Sequence, residues 1–223
     1  MTNINLSGSY TRVINPNNLI TLGGAVGFST RGFNQSTLTW DQFWDPNLFV
    51  IDPSRGSGES NIIETFNFVE TALGINYRWQ KSARTKLDLG IGAFHLTTPS
   101  SRFLTSAVTQ SLPIRFSVSG VYSRKLTDKM DLQLDALFQN QQAYNELLFG
   151  GYLNFYLNQR RGKEFQFRVG AGYRTRRAIY PKIGIELNNL FIAASYDFYL
   201  LDFNNLHGGG GPELHIRLSL IHI

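Results

Sequence analysis

The chain has 223 residues, 42% hydrophobic and 13% aromatic against only 17% charged, with a formal net charge of +5 and no cysteine. Low charge with many aromatics argues against a disordered chain, and the missing cysteines exclude a disulfide framework and thiolate metal sites. The basic residues read as spread over turns and polar faces rather than gathered in one run, which argues against a nucleic-acid partner.

No secretory signal opens the sequence, because Met1-Thr2-Asn3 leads straight into a strand, Ile4 to Tyr10. From there about eleven strands are predicted, near 3–14, 19–33, 66–80, 84–98, 113–126, 130–143, 146–158, 164–177, 179–188, 190–201 and 211–223. Most exceed the usual soluble strand of about 5–6 residues and approach the roughly 9–11 that a tilted strand needs to cross a bilayer. The longest nearly apolar run, about seven residues from Leu190 to Tyr196, is far short of the roughly 20 of a spanning helix. A turn or two around Trp40-Asp41-Gln42-Phe43-Trp44 is the best helical candidate, and no domain linker is visible.

Within the strands the side chains alternate. Ile114, Phe116, Val118, Gly120 and Tyr122 face one way, and Arg115, Ser117, Ser119 and Val121 the other. Leu132, Leu134, Ala136 and Phe138 oppose Asp131, Gln133 and Asp135. Phe165, Phe167, Val169, Ala171 and Tyr173 oppose Gln166, Arg168, Gly170, Gly172 and Arg174. In a soluble sandwich the apolar face needs an apolar partner, whereas in an antiparallel transmembrane β-barrel of the outer membrane it faces lipid and the polar face lines a lumen.

The connections favour the barrel. Short ones at Asn15–Asn18, Lys81–Ala83, Thr127–Lys129, Gln159–Lys163 and Asn188–Asn189 alternate with others that are longer on average: 34–65, 99–112, a polar stretch near Gln139–Asn145, a tight one near Arg177–Tyr180, and 202–210. On this topology Met1 falls at the extracellular rim and Ile223 in the periplasm. The expectation is a single barrel domain over 1–223 that is the C-terminal part of a longer barrel, with one or three strands and a signal peptide ahead of it. Closure through a partner strand is the alternative.

Several segments carry a resemblance. Gly172-Tyr173-Arg174-Thr175-Arg176-Arg177-Ala178-Ile179-Tyr180-Pro181-Lys182-Ile183-Gly184 is similar to a "YR…A…P..G" segment of the PorP/SprF family. Ser195-Tyr196-Asp197, Leu200 and Gly209-Gly210-Gly211-Pro212-Glu213-Leu214 resemble that family's closing "SYD…L…GG.E" hairpin. Phe94-His95-Leu96-Thr97-Thr98-Pro99 with Phe103, Asp45-Pro46-Asn47-Leu48-Phe49, and Gln139–Gln142 with Glu146 and Gly150-Gly151 match further elements in order. The signal peptide and "NP" segment that family members carry ahead of the first strands do not precede the first strand here, as expected of the C-terminal part of a longer barrel. The resemblance implies a non-enzymatic barrel in the outer membrane of a Gram-negative bacterium. It would support type IX secretion or gliding motility, with secretion-system components, secreted surface proteins or adhesins, and outer-membrane lipid as partners.

The residues themselves offer little catalytic chemistry. Around His95, His207, His215 and His222 no serine–histidine spacing recurs on one face, so no nucleophile–base pair is expected. No metal or cofactor site is predicted. The Gly208–Gly211 run has no following helix and reads as a hairpin loop. Tyr10, Tyr77, Trp79, Tyr122, Phe155 and Tyr156 cluster near the short turns and read as an interfacial girdle. Arg115, Asp131, Asp135, Arg168, Arg174, Arg176, Lys182, Glu186, Asp197, Glu213 and Arg217 mix both signs on the polar face. That mixture suits a narrow or plugged lumen better than a selective pore. Trp40, Phe43, Trp44 and Phe49 in the longest loop make a candidate partner-binding surface; a lid folded into the lumen is the equal alternative. A transport channel for small or hydrophobic solutes and a soluble β-sandwich or lipocalin-like binder are the rival classes.

Overall fold

The computed structural model describes residues 2–32, 38–56, 58, 65–101, 110–160, 162–175, 178–200 and 210–219. The long strands are β1 (Thr2–Asn15), β2 (Asn18–Gly32), β5 (Thr65–Ser82), β6 (Thr85–Phe94), β9 (Arg115–Thr127), β10 (Met130–Gln141), β11 (Tyr144–Asn158), β12 (Phe165–Arg174), β13 (Ala178–Leu187), β14 (Leu190–Tyr199) and β15 (Gly210–Leu218). They form one eleven-stranded sheet, in which each long strand lies beside the next one along the chain. Two short pairs occupy connections: β3 (Trp44–Asp45) with β4 (Val50–Ile51), and β7 (Ser100–Ser101) with β8 (Gln110–Ser111). Single 3-10 turns form at Asp41–Phe43 and Pro53–Arg55. Among the described residues no helix is long and apolar enough to cross a membrane, which says nothing of crossing by strands.

The short turns are built from residues that satisfy their own backbone. Asn15 Oδ1 accepts from the Asn17 N–H at 3.0 Å and from Asn18 Nδ2 at 2.7 Å, an Asx turn. Ser82 Oγ accepts from the Thr85 N–H at 3.1 Å. Asn188 takes a positive φ of 51°, which asparagine tolerates better than most residues, and this lets two residues reverse β13 into β14. The connection between β10 and β11 is shorter than the sequence suggests. The polar run Gln139–Asn145 continues both strands and turns at Gln142, whose φ is 55°.

Packing separates two compact units. One comprises Met1–Gly8, Gly24–Leu73 and Phe94–Ile114; the other comprises Ser9–Gly23, Gly74–Ala93 and Arg115–Ile223. The second holds all five short turns, and hydrogen bonds line them up at one end of the sheet. Gln80 N–H donates to Asn17 O, Tyr156 N–H to Lys129 O, Asn188 N–H to Glu164 O and Ser219 N–H to Asn189 O, at 2.8 to 3.0 Å.

Candidate functional site

Burial in this sheet is inverted relative to a soluble domain. On the apolar face Leu134 is 46%, Ile183 54% and Phe198 52% exposed, while on the polar face Asp131 is 3% and Lys182 8% exposed. Water-soluble folds hide aliphatics and leave unpaired charges outside. The reverse arrangement is stable where the apolar face meets hydrocarbon.

The polar face is held by charge pairs, some between adjacent strands and some between strands that are not sequence neighbours. Lys182 Nζ lies 3.3 Å from Asp135 Oδ1, and Arg174 Nη1 lies 3.4 Å from Asp197 Oδ2 and its Nε 3.9 Å from Glu146. Arg168 pairs with Glu186. Near the short turns, Arg84 clamps Asp131 through Nε at 2.9 Å and Nη2 at 2.6 Å, and Tyr156 Oη donates to the same carboxylate at 2.7 Å. Arg84 also donates to Thr127 O at 2.9 Å and Asp128 O at 2.8 Å, tying two turns together. Asp128 itself lies below the usual carboxylate range, because Lys125 donates to it.

Glycines give these long side chains room. A Cβ on Gly172 would sit 2.2 Å from the Tyr180 ring, and one on Gly170 would sit 2.0 Å from the Gly151 carbonyl oxygen. In register, Gly172 opposes Tyr180 and Gly170 opposes Lys182. The Lys182 ammonium rests 4.0 Å from the Tyr152 ring centre, a cation–π contact that offsets part of its desolvation. Beside it lies a recess of about 650 Å³ lined by Tyr152, Tyr180, Lys182, Phe191, Ser195, Glu213 and His215. His215 stands 5.8 Å from the Phe191 ring, and His95 Nδ1 lies 3.8 Å from Glu70. No group of three metal-ligating side chains occurs among the described residues.

The predicted polar-face residues largely converge. Arg115, Asp131, Asp135, Arg168, Arg174, Lys182, Glu186, Asp197, Glu213 and Arg217 share one face by alternation and register. Arg176, His207, His222, Phe103 and Gly208 lie outside the described residues. One assignment is corrected. Tyr156 belongs not to the girdle but to the polar face, because it sits in phase with Asn154 and reaches Asp131. Tyr10, Tyr77, Trp79, Tyr122 and Phe155 stay on the apolar face. Arg84 went unnoticed in the sequence, since a turn position carries no periodic signal.

Trp44 and Phe49 meet edge-on, with ring centres 6.2 Å apart across the β3–β4 turn. Asp45 accepts from the Asn47 N–H at 2.8 Å and pairs with Arg55 at 2.8 Å. The Asn47 N–H holds its carboxyl below the usual range, with lesser help from Leu48 and Arg55. Asp52 is lowered likewise by the Ser54 hydroxyl and N–H. On this frame Trp44 and Phe49 are exposed, at 47% and 75%, whereas Trp40 and Phe43 are half-buried.

No curated protein matches the chain. Among solved structures it is similar to the crystal structure of a Pseudomonas aeruginosa FadL homologue, at 13% identity and a TM-score of 0.43. The match covers 96% of this chain, which spans 65% of the length of that one. A family model described as type IX secretion system membrane protein PorP/SprF matches residues 1–217.

Proposed function

The chain belongs to the PorP/SprF family of type IX secretion system membrane proteins, and on that premise we propose that it is a non-enzymatic barrel supporting secretion or retaining secreted adhesins at the cell surface. The family is one of secretion-system membrane proteins, and the fold class is the antiparallel sheet of an outer-membrane β-barrel. In this reading residues 1–223 act as one barrel domain in the outer membrane.

The observation that carries the scaffold reading is the polar face. Its charges are neutralised in pairs across β10 to β14, and among the described residues no ring of one sign forms to select an ion. Binding then falls to the loops. Trp44 and Phe49 form an exposed, edge-on aromatic pair of the kind that anchors protein interfaces. The partners in this reading are secretion-system components and secreted surface proteins.

The test is complementation of a deletion strain with the Trp44→Ala/Phe49→Ala variant. The barrel should reach the membrane in normal amount while surface-held cargo falls at least tenfold. Normal cargo retention would remove the loop from the proposal. Steady single-channel conductance in planar bilayers would instead favour a solute channel.

A further inference from the structure

The apolar face of the second compact unit is not free of charge, and its charges have one sign. Along the described strands of this unit, the apolar-face positions carry Arg12, Lys81 and Arg124 and no Asp or Glu. The assignments are fixed by neighbours. Thr11 bonds Thr21 across β1 and β2 at 2.9 Å on the polar face, so Arg12 points the other way. Arg78 pairs with Asp88 on the polar face, which leaves Lys81 in phase with Ile75 and Trp79 on the apolar one. Arg124 stands opposite Leu132 in register.

All three obey one rule. Each lies two residues closer to a short turn than an aromatic on the same face: Tyr10 then Arg12, Trp79 then Lys81, Tyr122 then Arg124. The returning strand β12 shows the mirror order, with Lys163 in the turn two residues before Phe165. Two strand residues span about 7 Å. Aromatic rings favour the interface of a bilayer, so the cations lie one step further out, at the depth of the headgroup phosphates. The four basic side chains are exposed. No carboxylate pairs with them among the described residues, whereas Arg78, Arg84, Arg168, Arg174 and Lys182 on the polar side are each paired. The basic surplus read as dispersed in the sequence is therefore sorted by face.

We propose that Arg12, Lys81, Arg124 and Lys163 form a belt that binds the phosphates of anionic phospholipid headgroups in the leaflet at the short-turn end. This rests on the membrane-barrel reading. The phosphodiester takes charge-assisted hydrogen bonds that no internal carboxylate supplies, while the acyl chains cover the aromatic step above it.

The test is native mass spectrometry of the full chain in detergent micelles, titrated with phosphatidylglycerol or phosphatidylcholine. Phosphatidylglycerol should bind at least tenfold more tightly, and salt should weaken that preference. Arg12→Gln, Lys81→Gln, Arg124→Gln and Lys163→Gln should each lower it about fivefold, whereas Arg12→Lys/Arg124→Lys should retain it. Equal binding of both lipids by the folded wild type would overturn the belt and leave the barrel standing, as would single Gln variants that keep the full preference. Binding of polyglutamate with no preference for phosphatidylglycerol would also overturn it. A chain that stays folded and monodisperse without detergent would remove the barrel reading itself.

Discussion

Replacing Arg84 by methionine isolates the clamp that joins the short turns. Asp131 is 3% exposed and accepts from Arg84 Nε and Nη2 and from Tyr156 Oη. The methionine keeps the aliphatic stem but leaves a buried carboxylate with the tyrosine alone. Breaking a fully buried pair costs about 3–5 kcal/mol. The Arg84 side chain is 22% exposed at a water-facing turn, so part of that cost is screened, and about 2–3 kcal/mol is expected. Asp131→Asn removes the charge, keeps the shape and should cost about 1–2 kcal/mol. Because both variants break the same interaction, the double variant should fall short of the sum by at least ~1 kcal/mol. Equilibrium urea unfolding of the refolded protein in micelles, followed by tryptophan fluorescence, measures all corners of the cycle. A coupling energy below ~0.3 kcal/mol would refute the reasoning.

Lys182 and Asp135 should behave unequally. Lys182 is the buried member and Asp135 the more exposed one, so Asp135→Leu strands a buried charge and should lower the urea midpoint more than Lys182→Met does. Reversed order in the same unfolding assay would contradict the pairing. Gly170→Ala places a methyl against the Gly151 backbone, which cannot yield, whereas Gly172→Ala meets the tip of Tyr180, which can swing aside. The first should cost about 3 kcal/mol and the second about 1 kcal/mol by thermal or urea unfolding, and equal losses would undo the distinction. For the aromatic loop, the lowered carboxyls of Asp45 and Asp52 supply stability above the unfolded value near 3.9, which is lost as pH falls through the lower folded values. Fluorescence of Trp44 should therefore change below about pH 4 and do so less in Asp45→Asn. A midpoint above pH 5 would point to another group.

The eleven long strands were legible because a period of two persists through them. Asp131, Gln133 and Asp135 against Leu132, Leu134 and Phe138 settle the faces of β10 without any tertiary knowledge. The two small hairpins were not legible, since two-residue strands such as Trp44–Asp45 cannot display a period. Gln139–Asn145 misled because polar residues on both faces near a turn look like a loop, although the ladder runs on to Gln141 and Tyr144. Tyr156 misled for a related reason. Adjacent aromatics at Phe155 and Tyr156 must face opposite ways, and the register against β10 with the carboxylate of Asp131 reveals which one turns to the polar side. The sorting of basic residues by face needed the register of β9 against β10, which composition cannot supply.

The alternation of large and small across β12 and β13 also determines how these strands can come together. Natively Gly172 meets Tyr180, Gly170 meets Lys182 and Arg168 meets Gly184. A slip of one residue would turn every charge toward lipid. A slip of two preserves the faces and is the more dangerous error during insertion. In one direction it sets Arg168 against Lys182 and Glu164 against Glu186, so like charges repel at both places. In the other it crowds Arg174 onto Tyr180 and leaves Gly170 facing Gly184 across an empty gap. The strand pair thus works like a notched key, seating in one alignment as the sheet zips up in the bilayer.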